Sequence, residues 1–347
     1  SKFDGGLFAK DHELDSLTIK DSILLKLIDF SDFDFASDLN VNILGHIFEQ
    51  SLSDIEEIKA QIGNGRHLYD DEKAEIRKNG KRKKEGIFYT PEYVTRYIVK
   101  EAIGGWLDDR KRELGFYNLP ELTPGDINSI KWVRRKNKKD GKMYEILEYN
   151  HTIEHHMAFW EAYKERLRNI KVLDPACGSG AFLNQAFDYL YAEGQKVNEE
   201  ISRFRLGQRE IFELDRHILT NNLFGVDLNT ESVEITKLSL WLKTARKDKE
   251  LTALDGNIKC GNSLIDDASV AGERAFDWVA NFPRLFTGTG YDGSGFDVVI
   301  GNPPYVFSRE KIKEAEKNYY SRKYSTAQYQ VNTYILFIER ALELLKN

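Results

Sequence analysis

The 347-residue chain lacks the features that mark secreted, membrane-bound or disulfide-stabilised proteins. It has only two cysteines, Cys177 and Cys260, which cannot make a disulfide framework and which suit a reducing cytoplasm. No apolar run is long enough to span a bilayer, and the first residues lack the basic-then-apolar pattern of a signal peptide. We therefore expect a globular cytoplasmic protein with no membrane partner.

The sequence also shows no convincing metal site and no overall basic charge. His151 and His155 stand four residues apart, as two ligands on one helix face would, but no third and fourth ligands follow at metal-site spacing. An exposed or partly buried histidine pair is the better interpretation. The formal net charge of −6 argues against a domain that is basic throughout, although it leaves room for a local basic surface that contacts nucleic acid.

The first part of the chain is rich in charge and in helical patterns. Ile43, Leu44 and Ile47 lie at helical spacing, so we predict a helical N-terminal domain over residues 1–80. The basic run at 77–86 is best interpreted as a solvated linker, and a phosphate-contacting loop is the alternative.

A helix start follows the basic run. Thr90 is a good N-cap and Pro91 a good first helical residue. Val94, Ile98 and Ala102 then fall on one face of the predicted helix. The positive end of this helix would lie beside the aromatic residues that precede Thr90.

Residues 106–168 predict an irregular insertion that is basic and aromatic. Within it, Asp140 and Gly141 are typical of the turn of a β-hairpin, and residues 151–167 are helical in pattern. We assign the insertion to a second domain that covers residues 81–347.

From residue 170 onward, strand patterns alternate with helix patterns. This alternation predicts an α/β fold with a doubly wound, Rossmann-like parallel sheet. The predicted strands lie within KVLDPACGSG, LFGVDLN, GNIKCGNSLI and GFDVVIGN, and the predicted helices within AFLNQAFDYLYAEG, TESVEITKLSLWLKTA and VNTYILFIERALELLK.

Polar residues at the ends of the first two of these strands predict a ligand site. Gly178 and Gly180 make a turn that lets a ligand approach the backbone, but they lack the spacing of the dinucleotide fingerprint. Asp174 suits an ammonium or sulfonium group better than a pyrophosphate, and Asp227 stands where such folds bind ribose hydroxyls. A nucleoside with a cationic amino-acid tail is S-adenosylmethionine.

The fourth strand ends in Gly-Asn-Pro-Pro-Tyr, which predicts a site for an NH₂ group on a ring. Asn302 offers a carbonyl acceptor, and the two prolines stiffen the turn and leave the Pro303 carbonyl unpaired. Tyr305 offers a flat face for the ring. Accepting both N–H bonds would draw the amine toward tetrahedral geometry and free its lone pair for a methyl group. A base inside a duplex would first have to flip out.

Over roughly residues 86–346 the chain resembles the gamma-type N6-adenine DNA methyltransferases, especially the type IIG restriction–modification enzymes and related phage-defence methyltransferases. The segments that carry the resemblance, in chain order, are FYTPEYV, DPACGSGAFL, GVDLN, GNSLI and IGNPPYV. It implies a site-specific DNA adenine-N6 methyltransferase of a prokaryotic cytoplasm. Such an enzyme transfers a methyl group from S-adenosylmethionine to an adenine flipped out of double-stranded DNA.

The resemblance also implies roles for individual residues. Those implied to bind S-adenosylmethionine are Tyr89, Thr90, Pro91, Asp174, Ala176, Gly178, Gly180, Asp227, Leu228 and Asn262. Those implied to hold the target adenine are Asn302, Pro303, Pro304 and Tyr305. Asn262 stands where many relatives carry Asp, so it keeps one acceptor for the adenine amine of the cofactor but loses the charge.

The resemblance further predicts later strands and a downstream target-recognition domain in the same polypeptide, and we expect neither within these residues. Two other functions remain open. Asn-Pro-Pro-Tyr also serves glutamine-N5 protein methyltransferases, because a side-chain amide presents an NH₂ group too, but those enzymes lack the FYTP segment and a large helical front. A non-catalytic fragment that binds cofactor and DNA is the other alternative.

Overall fold

The computed structural model describes residues 90–136, 139, 141–206, 214–244, 252–286, 294–306, 312–328 and 331–346, together with 12, 16–22, 25, 58, 61–62 and 69. Most of the predicted helical domain, the basic run and Tyr89 lie outside the described residues. The helical domain over residues 1–80 therefore stays a prediction.

The described strands form a two-stranded antiparallel hairpin and a four-stranded parallel sheet. The strands are β1 Lys131–Lys136, β2 Met143–Glu148, β3 Val172–Asp174, β4 Leu223–Asp227, β5 Ile258–Cys260 and β6 Val298–Val299. The parallel sheet confirms the predicted α/β class, and the hairpin over 131–148 is also as predicted.

Helices precede and connect these strands. The α-helices are α1 Glu92–Glu113, α2 Pro124–Asn128, α3 His151–Asn169, α4 Ala181–Phe204, α5 Leu214–His217, α6 Thr230–Thr244, α7 Ala268–Ala271, α8 Trp278–Asn281, α9 Glu314–Lys323 and α10 Thr333–Leu344. Short 3₁₀ turns at Phe116–Asn118 and Gly272–Arg274 and a π-turn at Ile218–Asn222 complete the helical elements. Across the part of the chain that the structure describes, no helix is long and apolar enough to cross a membrane.

The order of the parallel strands, β5-β4-β3-β6, places a change of direction at β3. Val172 of β3 pairs with Leu223 of β4 on one side and with Val298 of β6 on the other. The chain therefore moves outward from β3 through β4 to β5, and then returns to the opposite side of β3. In open α/β sheets a ligand crevice forms outside the carboxyl ends of the strands at such a point.

Helices and loops cover both faces of this sheet. Val172 faces a core shared with α1, α3 and α4, whereas its neighbour Leu173 faces an aromatic cluster that includes Phe224 and Phe296. Successive strand residues point to opposite faces, so burial on both sides requires continuous apolar runs. This requirement explains the apolar runs of β3 and β4 up to their terminal acids, whereas β5 at the edge of the order carries Lys259.

Residues 106–168 contain more regular structure than the predicted irregular insertion, although the predicted helical pattern over 151–167 is confirmed by α3. Residues 106–113 are the last turns of α1, and α3 begins at His151 with Asn150 as its cap. Tyr163 and Leu167 of α3, one turn apart, are buried in the main core. The segment is therefore largely regular, and α3 packs into the main core beside the parallel sheet.

The predicted start of α1 is also displaced. The helix begins at Glu92 with Pro91 in the cap position, and no side chain caps it. The buried stripe is formed by Thr95, Val99 and Ile103, one residue along from the predicted face. The predicted residue Ile98 lies at the flank of this stripe and is partly buried.

Helix α10 connects back to the sheet at its C-terminal end. The Phe296 N–H donates to the Leu344 carbonyl, and the Lys346 N–H donates to the Phe296 carbonyl, each at 2.9 Å. The Lys346 ammonium also pairs with Asp297 at 2.8 Å. Pairing on the outer side of β6 thus begins just before the strand itself, where Phe296 forms a parallel bridge with Leu345.

A candidate ligand-binding site at the strand tips

A cavity of about 260 Å³ lies at the carboxyl edge of the sheet. It brings together most of the residues that the sequence predicted for the site. The predicted residues that line it are Thr90, Asp174, Ala176, Gly178, Asp227, Leu228, Asn262, Asn302 and Pro304. Pro91, Gly180, Pro303 and Tyr305 are adjacent in the chain to lining residues but do not line the cavity, and Tyr89 is outside the described residues.

The turn between β3 and α4 depends on two glycines. Gly178 has φ +52° and Gly180, which caps α4, has φ +85°, a backbone region that other residues avoid. A side-chain carbon on Gly180 would stand 3.0 Å from Thr236. The Thr236 hydroxyl donates to the Gly178 carbonyl at 2.8 Å, so the turn is fixed from α6. Because Gly178 has no side chain, backbone atoms form this part of the cavity wall, and a ligand can approach them closely.

Asp227 at the tip of β4 holds the same turn from the other side. One carboxylate oxygen accepts from the Gly178 N–H and the other from the Asn229 N–H, both at 2.9 Å. The sequence predicted only a ligand contact for this acid. In the structure its carboxylate also joins the ends of β3 and β4, which places it at the cavity wall beside Leu228.

Asp174 is a buried acid with an unusual environment. Its side chain is 1% exposed, and Oδ1 accepts from the Ala176 N–H at 3.0 Å. Among the described residues, Oδ2 has no hydrogen-bond partner. Burial, with a smaller contribution from the Asp227 charge, raises the pKa of Asp174 to about 8, although the Ala176 N–H opposes the shift.

This raised pKa predicts a specific pH dependence of stability. Between pH 4 and pH 8 an unfolded Asp has lost its proton while folded Asp174 keeps it, so the free energy of unfolding falls as pH rises through this window. The contribution is about 1.4 kcal/mol per pH unit at most. Chemical denaturation of ligand-free protein at several pH values should show that Asp174→Asn flattens this dependence. An equal slope in both proteins would contradict the raised pKa.

The loop after β6 is held in place by two threonines. The Asn302 side-chain N–H donates to the Thr90 hydroxyl at 3.1 Å. On the other side, the Thr333 hydroxyl donates to the Pro304 carbonyl and accepts from the Val306 N–H. Among the described residues, no hydrogen bond reaches the Asn302 carbonyl oxygen or the Pro303 carbonyl. The two acceptors that the sequence predicted are therefore available together.

Tyr305 stands outside the cavity at the end of this loop. Its side chain is 49% exposed, and its ring lies 5.6 Å from the ring of Tyr334, at a tilt of 35°. An exposed aromatic face, two and three positions along the chain from Pro303 and Asn302, can stack on a flat ring.

Asn262 lines the cavity from the loop after β5. Its side-chain carbonyl accepts from the Leu264 N–H at 3.0 Å, and its backbone N–H donates to the Arg274 carbonyl at 2.7 Å. The side chain is therefore fixed by a local turn. A carbonyl oxygen has two lone pairs, so one acceptor position remains for a ligand.

Sequence reasoning missed the wall contributed by the last two helices. Glu316 and Tyr320 of α9 and Phe337 of α10 line the cavity, and Thr333 does so at the start of α10. The α9 segment is mostly charged and predicts only a solvated helix; the adjacent pair Tyr319–Tyr320, both buried, is the one signal that it covers a core.

The charge of the cavity is one-sided. Among the described residues, its ionisable lining groups are three carboxyls, those of Asp174, Asp227 and Glu316, and the Cys177 thiol and Tyr320 phenol, and no Lys, Arg or His is present. Burial raises the pKa of the Cys177 thiol well above its usual range, so the thiol adds no charge near neutral pH. The raised pKa of Asp174, about 8, means that this carboxyl adds its charge only above that pH or when a bound cation lowers its pKa. Such a cavity disfavours phosphate groups and favours a cationic ligand.

In the described part of the chain, no cluster of three or more His, Cys, Asp or Glu side chains could hold a metal ion.

Comparisons with known proteins identify relatives of this chain. Residues 221–347 match the sequence model of the Eco57I restriction–modification methylase family. The chain is 34% identical over 197 residues to the type II restriction enzyme and methyltransferase RM.Eco57I of Escherichia coli, covering 51% of the chain and 19% of that protein. It is 29% identical over 284 residues to a putative type II restriction enzyme and methyltransferase of Methanocaldococcus jannaschii, covering 75% and 20%.

A third relative is named for adenine methylation alone. The adenine-specific methyltransferase BrxX of Escherichia coli is 25% identical over 244 residues, covering 68% of the chain and 16% of that protein. The chain thus spans about a fifth of the length of the first two relatives. The matches confirm the resemblance to adenine methyltransferases of restriction–modification and phage-defence type.

Proposed function

We propose that this chain, which resembles the Eco57I restriction–modification methylases, carries the cofactor site and the amine-holding loop of a site-specific DNA adenine-N6 methyltransferase. The observation that carries the proposal is the position of the Asn302–Tyr305 loop at the edge of an acidic cavity. The cavity would hold the methyl donor, and the loop would hold the amine that receives the methyl group.

The donor that suits the cavity is S-adenosylmethionine. This cofactor supplies a methyl group bound to a positively charged sulfur. The acidic lining favours that charge, and the unpartnered Oδ2 of Asp174 can accept from an ammonium group. Asp227 would hold the ribose hydroxyls, and Leu228 and Asn262 would contact the adenine of the cofactor, since all three line the cavity.

The proposed substrate is an adenine turned out of double-stranded DNA. The carbonyls of Asn302 and Pro303 would accept the two N–H bonds of its amine, and Tyr305 would stack on its ring. Thr90 accepts from the Asn302 side chain and Thr333 donates to the carbonyl of Pro304, next to Pro303, so the loop is held before substrate arrives and little reorganisation accompanies the reaction. The gain is positioning and electrostatic stabilisation, with no covalent bond to the protein.

The comparisons do not favour the glutamine alternative, because the relatives are named as restriction enzymes with methyltransferases or as adenine-specific methyltransferases.

We further propose that residues 81–347 form the catalytic domain, with a helical domain before it. In the intact protein a target-recognition domain of the same polypeptide would read the DNA sequence.

The experiment that tests this function begins with calorimetry of S-adenosylmethionine binding. We expect saturable one-to-one binding, and proton release near pH 7, because a cation beside Asp174 lowers the raised pKa of that acid. Titrations in two buffers with different ionisation enthalpies measure the proton release. Incubation of the intact protein with labelled cofactor and duplex DNA should then yield N6-methyladenine. Label in protein and none in DNA would reject the proposal in favour of the glutamine alternative.

Thr90 offers a test of the link between the two sites. Thr90→Val keeps the shape of the side chain but removes the hydroxyl that accepts from Asn302. At saturating cofactor and DNA we expect methyl transfer by the intact protein to slow by about 2- to 10-fold, the equivalent of one hydrogen bond. Thr90→Ser keeps the hydroxyl and should retain most of the rate. Equal rates for the two variants would show that the hydroxyl does not orient Asn302.

A further inference from the structure

The β1–β2 hairpin is an exposed ribbon with little role in the core. Of its strand residues only Val133, Leu147 and Glu148 are partly buried, and all the others are exposed. Trp132, Met143 and Tyr144 are large side chains with exposures of 46%, 58% and 45%. A two-stranded ribbon with no buried face contributes little to stability, so folding alone does not account for its composition.

The ribbon is attached to the body at one end. Ile130 before β1 is buried against Ile153 and Phe204, and Leu147 and Tyr149 near the end of β2 pack on the same cluster. The register places Lys131 opposite Glu148 at this base and Lys136 opposite Met143 at the distal end. The distal half, from Arg134 to the turn, therefore extends away from the cluster that anchors the base.

Charge is distributed unevenly along the ribbon. Residues 131–148 contain seven basic and three acidic residues, a net charge of +4 within a chain whose net charge is −6. Two of the acids, Glu145 and Glu148, pair with Arg134 and with Lys131 and Arg135. The ribbon is thus strongly positive, while the rest of the chain is acidic.

We propose that this hairpin binds the phosphate backbone of double-stranded DNA, with its exposed distal half in or along the major groove. The inference rests on the proposed function, whose substrate is DNA. A two-stranded ribbon fits the major groove, which is about 12 Å wide, and the six residues of each strand extend about 20 Å. Basic side chains on such a ribbon neutralise phosphates of the DNA, whereas the same phosphates repel the acidic remainder of the chain. The ribbon would therefore determine the orientation in which the duplex approaches the protein.

The test measures the salt dependence of binding to a mixed-sequence DNA duplex by fluorescence anisotropy with the 347-residue protein. The hairpin variant combines Arg135→Gln, Lys136→Gln and Lys142→Gln, all at exposed positions. Each phosphate that the variant no longer neutralises reduces the slope of log affinity against log salt by about 0.9. We expect a decrease between about 1 and about 3, with weaker binding at about 50 mM salt.

A matched control variant removes three exposed basic charges elsewhere, through Arg112→Gln, Lys196→Gln and Arg284→Gln. The control should keep the wild-type slope. Equal slopes for the two variants, no binding of DNA by the wild type, or tighter binding of a double-stranded RNA of the same sequence would each overturn the proposal. Calorimetry of S-adenosylmethionine on the same proteins separates the two questions: a wild type that does not bind cofactor would count against the proposed function, whereas the slope reports on the hairpin alone.

Discussion

Asn302→Ala is expected to stop methyl transfer and to leave the affinity for S-adenosylmethionine nearly unchanged. The substitution removes the carbonyl that would accept an N–H of the target amine, and it also removes the donor to Thr90. Loss of one preorganised hydrogen-bond group in an active site typically costs about 10²–10³-fold in turnover. Because the asparagine stands at the edge of the cavity, most cofactor contacts remain.

The measurement is single-turnover methylation of duplex DNA by the intact protein, with calorimetry of the cofactor alongside. Asn118→Ala is a matched control, since Asn118 is exposed in the turn that follows α1, at the opposite end of that helix from Thr90. The control should methylate at the wild-type rate. Wild-type turnover by Asn302→Ala would remove the amine-holding role from this loop.

Asp227→Ala is expected to weaken cofactor binding by about 10- to 150-fold. A carboxylate that accepts from ribose hydroxyls makes charge-assisted hydrogen bonds, whose loss costs about 1.5–3 kcal/mol. The structure adds a second reason for a large effect. The same carboxylate accepts from the Gly178 and Asn229 N–H groups, so its removal also loosens the turn that forms the cavity wall.

A cofactor analogue without ribose hydroxyls separates these two contributions. If Asp227 holds the hydroxyls, the analogue should bind weakly to the wild type and lose less on Asp227→Ala than the true cofactor does, which is the signature of coupling in a double-mutant cycle. Asp109→Ala removes an exposed carboxylate of α1 and is the control. Equal losses for cofactor and analogue would assign Asp227 to the turn alone.

The fold was predictable in its strands but not in their order. Leu223–Asp227 is an apolar run that ends at an acid and turn residues, and such a run needs burial on both faces, as in a parallel sheet covered on both sides. Nothing in Val298–Ile300 indicates that this strand pairs with β3 rather than with β5. The pairing of β6 with β3 depends on contacts between segments that are distant in the sequence. It also creates the reversal in strand order at which the crevice beside Asp174 forms.

The site was predictable where one residue type satisfies one local need. Gly180 at φ +85° is such a case, because a turn of that shape selects glycine. Thr90 shows the limit. Local rules made it a helix cap, but its hydroxyl accepts from Asn302, 212 positions away, and the helix begins later with no side-chain cap. Tyr320 on α9 shows a second limit, since the Tyr319–Tyr320 pair indicates a covered core but not that Tyr320 lines the cavity.

Both ends of helix α10 are hydrogen-bonded to the segment that carries Asn302. At its start, Thr333 bonds to Pro304 and Val306, and just past its end the chain bonds on both sides of Phe296. The helix has 12 residues and is a rigid rod of about 18 Å. Residues 296–306 are therefore hydrogen-bonded to the same helix at both ends of this segment. A displacement of α10 would therefore shift the strand and the following loop together, and with them the part of the cavity lining that Asn302 and Pro304 provide.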